Sequence, residues 1–308
     1  ADLTNTNDAL EELTTKAENV RDLLQKFREI NGGGLVKEAT STDQTIATAS
    51  ASSTASNTSF DLTVSTIASV GTMSFDDTDI SSLTDAIAPT ITVTTPGVTD
   101  VIVWTIGTPP NNGESVTVTV DATTTLANVV DDFNSASNTA IATYVNTKPE
   151  GSTPEYHLLI TTNNSGTLEG SIAVSVGSDI TTAGRFNGTE NIDQATDAVI
   201  QVSGITGTIT RPSNAVDDVI PGVTMNLLKA NTTSSTTITV KDDIPSTAAD
   251  IEEFVDAYND MVEFVNESNR VVRESEDEDS LNIFSPLALT TLDDNMIANI
   301  RTEIAKAT

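Results

Sequence analysis

Cysteine is absent from the 308 residues, which excludes both a disulfide framework and thiolate metal sites. That suits an exported protein folding without oxidative help, and it equally suits many cytosolic proteins. Histidine occurs once, at His157, so no second imidazole exists for a His-based metal site or acid–base pair. Aromatic residues make up only 4% of the chain. No apolar run reaches the roughly 18 residues that a membrane-crossing helix needs. Positive charge is scarce: 14 Lys and Arg stand against 45 Asp and Glu, for a formal net charge of -31. A field of that sign repels phosphate, which excludes nucleic acid and anionic membrane surfaces as partners.

What is abundant is Thr, Ser, Val and Ile, a composition that favours strands. The length is that of about two domains, with three also within range. No signal peptide is visible. A helix pattern is already running near Ala1 and another is unfinished at Thr308, so the expectation is an internal piece of a longer chain, both native termini missing.

At the start, Leu3, Leu10, Ala17 and Leu24 repeat every seven residues, with Leu13, Val20 and Phe27 as a second row. This predicts a long amphipathic helix in an ordinary bundle, ended by Asn31-Gly32-Gly33-Gly34. From Thr40 the period changes to two, and Phe60, Leu62 and Val64 alternate with polar residues as in a half-buried strand. Ser50 to Ser56 reads as a loop or an edge segment. Strands are predicted over 101–106 and 116–120, with turn residues Pro109 to Gly113 between them. Leu126, Val129, Val130 and Phe133 then fall on one helical face. Further strands follow over 140–145, 156–161, 172–176, 198–202, 223–227 and 237–240, with Pro221-Gly222 marking a turn.

Past Ile244-Pro245 the helical period returns. Ile251, Phe254, Val255, Tyr258, Val262 and Val265 form one predicted apolar stripe, and Thr247 with Asp250 reads as a capping-box start. The acidic run Glu274 to Asp279 interrupts this pattern as a solvated loop, with a weak divalent-cation site as the sharper alternative. Leu292, Met296, Ile297, Ile300 and Ile304 mark a last amphipathic helix. The expected fold class is α+β and multidomain: a helical stalk domain drawn from both chain ends, with two nested β-rich domains, the middle one α+β. The expected boundaries are 1–42 plus 244–308 for the helical domain, 43–90 plus 194–243 for the β-rich domain, and 91–193 for an inserted α+β tip.

Catalytic chemistry finds no footing, and the expectation is a protein that is not an enzyme and holds no cofactor or metal. His157 sits in a strand pattern and is expected to face solvent. Asp76, Asp77 and Asp79 lack the closing Gly and Glu of a calcium loop and read as a turn. Adjacent residues on a strand point to opposite faces, so Asp242 and Asp243 are not a carboxylate pair. Trp104, alone among strand residues, reads as a core position.

Three blocks together resemble the bacterial flagellar filament cap family, the hook-associated protein 2 or FliD family. The first runs from Ala39 to Asp43 and resumes at Phe60 to Ala68, similar to the family's switch from helical stalk into β domain. The second and most specific is Ala195 to Gly204 followed by Ser213 to Leu227, with its Asp-Ala pair, an apolar strand ending in Gly, then Ser-Asn and Ile-Pro-Gly-Val-Thr. The third is Phe254 to Asn259. Thr125 to Asn134 is more loosely similar to the family's short helix followed by Ile-Asn, and the acidic run 274–279 and the high negative charge depart from the pattern.

The resemblance implies an extracellular, non-enzymatic assembly factor at the flagellum tip. Its implied partners are further copies of itself in a closed ring (five or six subunits in the family), flagellin, and hook-filament junction proteins. Leu10, Val20, Phe254 and Tyr258 are the candidate residues for stalk-helix packing or interface, and plain core packing is the favoured reading of all four. The alternative reading is a Thr/Ser-rich extracellular adhesin that grips glycans with its middle unit.

Overall fold

A computed structural model describes residues 3–26, 35–75, 80–88, 91, 100–108, 111–183, 186, 190–273, 282–288, 298–299 and 302. Helix α1 (Leu3–Gln25) opens the chain, followed by strands β1 (Lys37–Ser41), β2 (Ala47–Ala51), β3 (Thr58–Thr66) and β4 (Val70–Phe75). Next come β5 (Asp100–Thr108), β6 (Asn111–Val120), α2 (Leu126–Ala136), β7 (Ala140–Asn146), β8 (Tyr156–Ser165) and β9 (Ile172–Val176). Helix α3 (Ser178–Ala183) leads to β10 (Glu190–Asp193), β11 (Ala198–Val202), β12 (Ile209–Arg211), β13 (Ala215–Ile220), β14 (Val223–Leu227) and β15 (Asn231–Asp242). Helix α4 (Ile244–Ser268) and the short strands β16 (Val271–Arg273) and β17 (Asn282–Phe284) follow.

Two sheets share one core. The five-stranded sheet β1-β15-β3-β11-β12 faces the three-stranded sheet β13-β14-β2. Between them Leu62, Val64, Ile200 and Ile238 of the first sheet meet Val223, Met225 and Leu227 of the second. Alternation sets these faces: β3 buries Phe60, Leu62 and Val64 and turns Ser59 and Asp61 outward. Gly222, at φ 77, follows Pro221 in the β13–β14 turn, the backbone that a Pro-Gly turn requires.

A second core lies between the sheets β10-β4-β8-β7 and β6-β5-β9. Helix α2 packs into it with Leu126, Val129, Val130 and Phe133. Trp104 is fully buried there, edge-on to Phe133 at 5.3 Å between ring centres, as expected for a core position. Helix α2 is started by a reciprocal cap: Thr125 Oγ1 accepts from Asn128 N, and Asn128 Oδ1 accepts from Thr125 N. Strand β4 pairs with β8, and Met73, Phe75, Ile80 and Ile87 belong to this second core. That places residues 70–75 and 80–88 with the α+β body, ahead of the boundary at 90 expected from sequence texture.

The two bodies meet where the chain crosses between them. Ser69 and Thr196 form an antiparallel bridge, and Asp197 accepts from Thr167 N and Thr167 Oγ1. Gly166 sits in this crossing at φ 90, and a Cβ there would lie 2.5 Å from Pro212 Cβ, so only glycine fits.

Helices α1 and α4 lie antiparallel over a third core of Ala9, Leu13, Val20, Met261, Val265 and Leu287. The start of α4 differs from expectation. Its N-cap is Asp243, whose carboxylate accepts from Ser246 N at 3.0 Å, and Pro245 occupies the first turn. Thr247 lies inside the helix, accepting from Val36 N and donating to Asp243 O. The predicted helix end at Asn31 to Gly34, Phe27, the triplet Asp76, Asp77 and Asp79, and the acidic run 274–279 lie outside the described residues. So does most of the helix predicted over 292–304. The antiparallel pair β16–β17, not anticipated from sequence, flanks that acidic run.

Candidate functional site

The helical seam is the surface to which sequence assigns work. Val20 is 1% exposed and packs within the α1–α4 core, whereas Leu10, Phe254 and Tyr258 lie half-buried at its margin. The stripe predicted along α4 is split. Ile251 and Val255 are exposed, as is Ile244, while Met261 and Val265 supply the buried contact. One helix thus carries an apolar row against α1 and a second apolar row open to solvent. Lys26, just past the end of α1, ties the pair together, its Nζ 3.2 Å from Asp250 and 3.3 Å from Glu253. Elsewhere the outward faces are acidic, with Asp8, Glu11, Glu12 and Asp22 on α1 and Glu252, Asp256, Asp260 and Glu263 on α4.

The ionisable groups singled out by sequence do not converge. His157 is half-buried, not solvent-facing: Nδ1 lies 3.3 Å from Phe75 O and Nε2 3.2 Å from Glu155 Oε1. Lys148 completes that group through Glu155, and hydrogen bonds from Lys148 and His157 hold the Glu155 carboxyl below its usual range against the opposing effect of burial. Asp242 accepts from Lys37 and Asn57 while Asp243 caps α4, so the two adjacent carboxylates serve separate partners. Among the described residues no three His, Cys, Asp or Glu side chains are grouped to hold a metal ion.

Among the described residues Glu114 is the most strongly shifted carboxylate. Partial burial pushes it up, but hydrogen bonds from Thr139 Oγ1, Asn138 N, Ser137 Oγ and Thr139 N outweigh that and bring it to about 2. These donors span the turn from α2 into β7, so the charge fixes a loop. Beside that turn β7 leaves apolar side chains open: Ile141 and Val145, 58% and 40% exposed, on one face, and Tyr144, 42% exposed and edge-on to Tyr156, on the other. Sequence reading missed these exposed residues because β7 reads as a strand without revealing which of its faces is covered. Among the described residues no helix is long and apolar enough to cross a membrane.

Comparison with known proteins places these features. The family model for the flagellar hook-associated protein 2 N-terminus matches residues 1–70, and that for its C-terminus matches residues 195–307, together more than half of the chain. The A-type flagellar hook-associated protein 2 of Pseudomonas aeruginosa is 30% identical over 207 residues, 61% of this chain and 41% of that protein. The flagellar hook-associated protein 2 of Treponema maltophilum is 40% identical over 74 residues, 24% of this chain and 10% of that protein. The chain therefore spans about two-fifths or less of the length of these curated relatives. Among solved structures, the D1-D2-D3 domains of the flagellar cap protein FliD from Escherichia coli superpose with a TM-score of 0.64 at 18% identity, covering 97% of this chain and 75% of that one. FliD (HAP2) from Pseudomonas aeruginosa PAO1 gives 0.54 at 19% identity, covering 75% of this chain and 99% of that one. At such identities the likeness speaks for the fold: multidomain, mostly β-sheet, with a few helices.

Proposed function

The chain belongs to the flagellar hook-associated protein 2 family, and from that premise we propose that it caps the flagellar filament, a non-enzymatic role at the extracellular tip in which copies self-associate and help exported flagellin to fold and insert. The observation that carries this reading is the meeting of the two matched stretches. Strands β1 to β3 from residues 1–70 pair with β11, β14 and β15 from residues 195–307, and α1 packs on α4. The regions the family models define thus close on each other.

In this proposal α1 and α4 are the stalk, the two-sheet body is the β-rich domain, and the α+β body is the inserted tip. Val20 holds the stalk together, while Leu10, Phe254 and Tyr258 at its margin are the contact residues. Partners are further copies in a closed ring, flagellin, and hook-filament junction proteins. A ring requires head-to-tail contacts that close, and each contact acts against about thirty like charges per subunit. The comparisons lend the adhesin alternative no support.

The test is the mass of the 308-residue chain by light scattering at low and high salt. The expected result is a monomer at low salt moving to a defined multiple as salt rises and screens the repulsion. A ring population that shrinks with added salt, or a monomer under all conditions, overturns the self-associating part of the proposal for this chain.

A further inference from the structure

Strand β7 is the outermost strand of its sheet, in the order β10-β4-β8-β7. Its sequence, Ala-Ile-Ala-Thr-Tyr-Val-Asn, carries no charge, no Pro and no Gly. A neutral seven-residue strand that includes Ile, Thr, Tyr and Val, on a sheet edge, is the kind of segment that recruits another strand. The side chains of Ile141 and Val145 are exposed as well, so the strand offers a backbone edge and an apolar flank together. None of the usual deterrents is built into it: no Lys, no Pro and no interruption of its ladder with β8, which runs in continuous register from Ala140 to Asn146.

The edge is nevertheless occupied. Asn134, at the end of α2, donates from Nδ2 to Ala142 O at 2.9 Å and accepts at Oδ1 from Ala142 N at 2.8 Å. One carboxamide thus satisfies both backbone groups of Ala142, the pattern a residue of a neighbouring strand makes with its partner. One pleat earlier, Ala140 N donates to Ser137 Oγ. Residues 140 and 142 point their backbone groups the same way, away from β8, so the Ala142 pair and the Ala140 amide are taken by α2 and the turn that follows it. The same two-point clamp recurs where Gln194 holds Ile172 of β9 (3.3 and 2.8 Å) and where Asn214 holds Ala68 (2.7 and 2.8 Å). A carboxamide has one donor face and one acceptor at peptide spacing, which suits it to stand in for a strand.

We propose that Asn134 is an edge guard: its carboxamide occupies the backbone groups of β7 that a second copy of this chain would otherwise take, pairing β7 with β7 in antiparallel register. The guard works alongside the negative charge of the chain. At low salt repulsion keeps copies apart, and when salt screens that repulsion the carboxamide still blocks the edge. Self-association of the wild-type chain then proceeds through surfaces other than β7.

The test is Asn134→Ala. Asn134 lies on the exposed side of α2, so Ala removes no core contact and favours the helix. Two quantities are followed against protein concentration at high salt: mass by sedimentation, and hydrogen exchange at the Ala142 amide. In the dilute variant that amide is expected to exchange roughly five- to tenfold faster than in wild type. With rising concentration the variant's mass climbs toward twice that of wild type and the amide regains protection. Adding Thr143→Lys, an exposed charge on the same edge, returns the mass to the wild-type curve. If Asn134→Ala does not fold by circular dichroism, Asn134→Ser, neutral and too short to reach both backbone groups of Ala142, is measured the same way. A variant whose mass follows wild type at every concentration overturns the proposal, and so does association that Thr143→Lys leaves in place.

Discussion

Glu114 accepts from three successive residues, Ser137, Asn138 and Thr139, and its carboxyl is brought to about 2 as a result. A folded-state value depressed below the ordinary 4.5 contributes stability that is fully present above about 4.5 and is lost as the pH falls toward 2. Glu114→Gln is therefore expected to lower stability at neutral pH by about 1–2 kcal/mol, the full shift being discounted for a carboxylate that stays partly wetted. Urea unfolding of both forms checks this, with the difference shrinking to nothing near pH 2. Sequence offered no hint of this network, because Glu114 and its donors are joined only once β6 and the α2–β7 turn are side by side. Trp104 was legible, since a lone aromatic among alternating apolar residues has a core to enter and few other places to go. Asn134 stood in the sequence as one residue of a family-like block, and its clamp on Ala142 becomes visible only with β7 next to it.

At the scale of elements, periodicity reads what a face is made of and not what covers it. Helix α2 was legible because Leu126, Val129, Val130 and Phe133 are all buried by one core. On α4 the same reasoning merged Ile251 and Val255 with the true contact row, although they face solvent. Strands β12 and β13 went unread because Arg211, Asp217 and Asp218 break their apolar pattern. Arg211 and Asp218 in fact pair across the two strands, with 2.8 Å between Nε and Oδ1. The start of α4 held a usable signal: Pro belongs in a first helical turn, so Pro245 points to Asp243 as the cap and leaves Thr247 for another task. That task joins two chain segments, since Thr247 accepts from Val36 N, which precedes β1. Thr247→Val keeps the shape and removes the acceptor. The expected outcome is a loss of about 1–2 kcal/mol in thermal or urea unfolding, with faster exchange at the Val36 amide.

For the whole molecule, charge sets the conditions of existence. The -31 net charge falls heavily on the helices, where acids on α1 and α4 face outward in numbers that the few Lys and Arg cannot balance. Self-repulsion of this kind opposes the compact state and is relieved by salt. The melting temperature followed by circular dichroism is expected to rise by several degrees from about 20 mM to about 1 M sodium chloride, where the screening length is about 3 Å. A melting temperature that is flat or falling over that range would show the acids to be locally compensated.

The path of the chain between helices and sheet also decides how the molecule carries load. Helix α1 leads into β1 and α4 leaves from β15, and these two strands are antiparallel neighbours that begin and end at the same place, Lys37 opposite Asp242. Asp243 N donates to Val36 O just beyond that pair. Tension that draws the two helices apart therefore falls on the ladder at its open end and breaks it one rung at a time, as a zipper opens. Tension that pulls both helices the same way draws β1 and β15 together and puts no shear on the rungs between them. Only a pull that separates the helices loads this ladder, and Lys37 with Asp242 is the tab at which it would start to part.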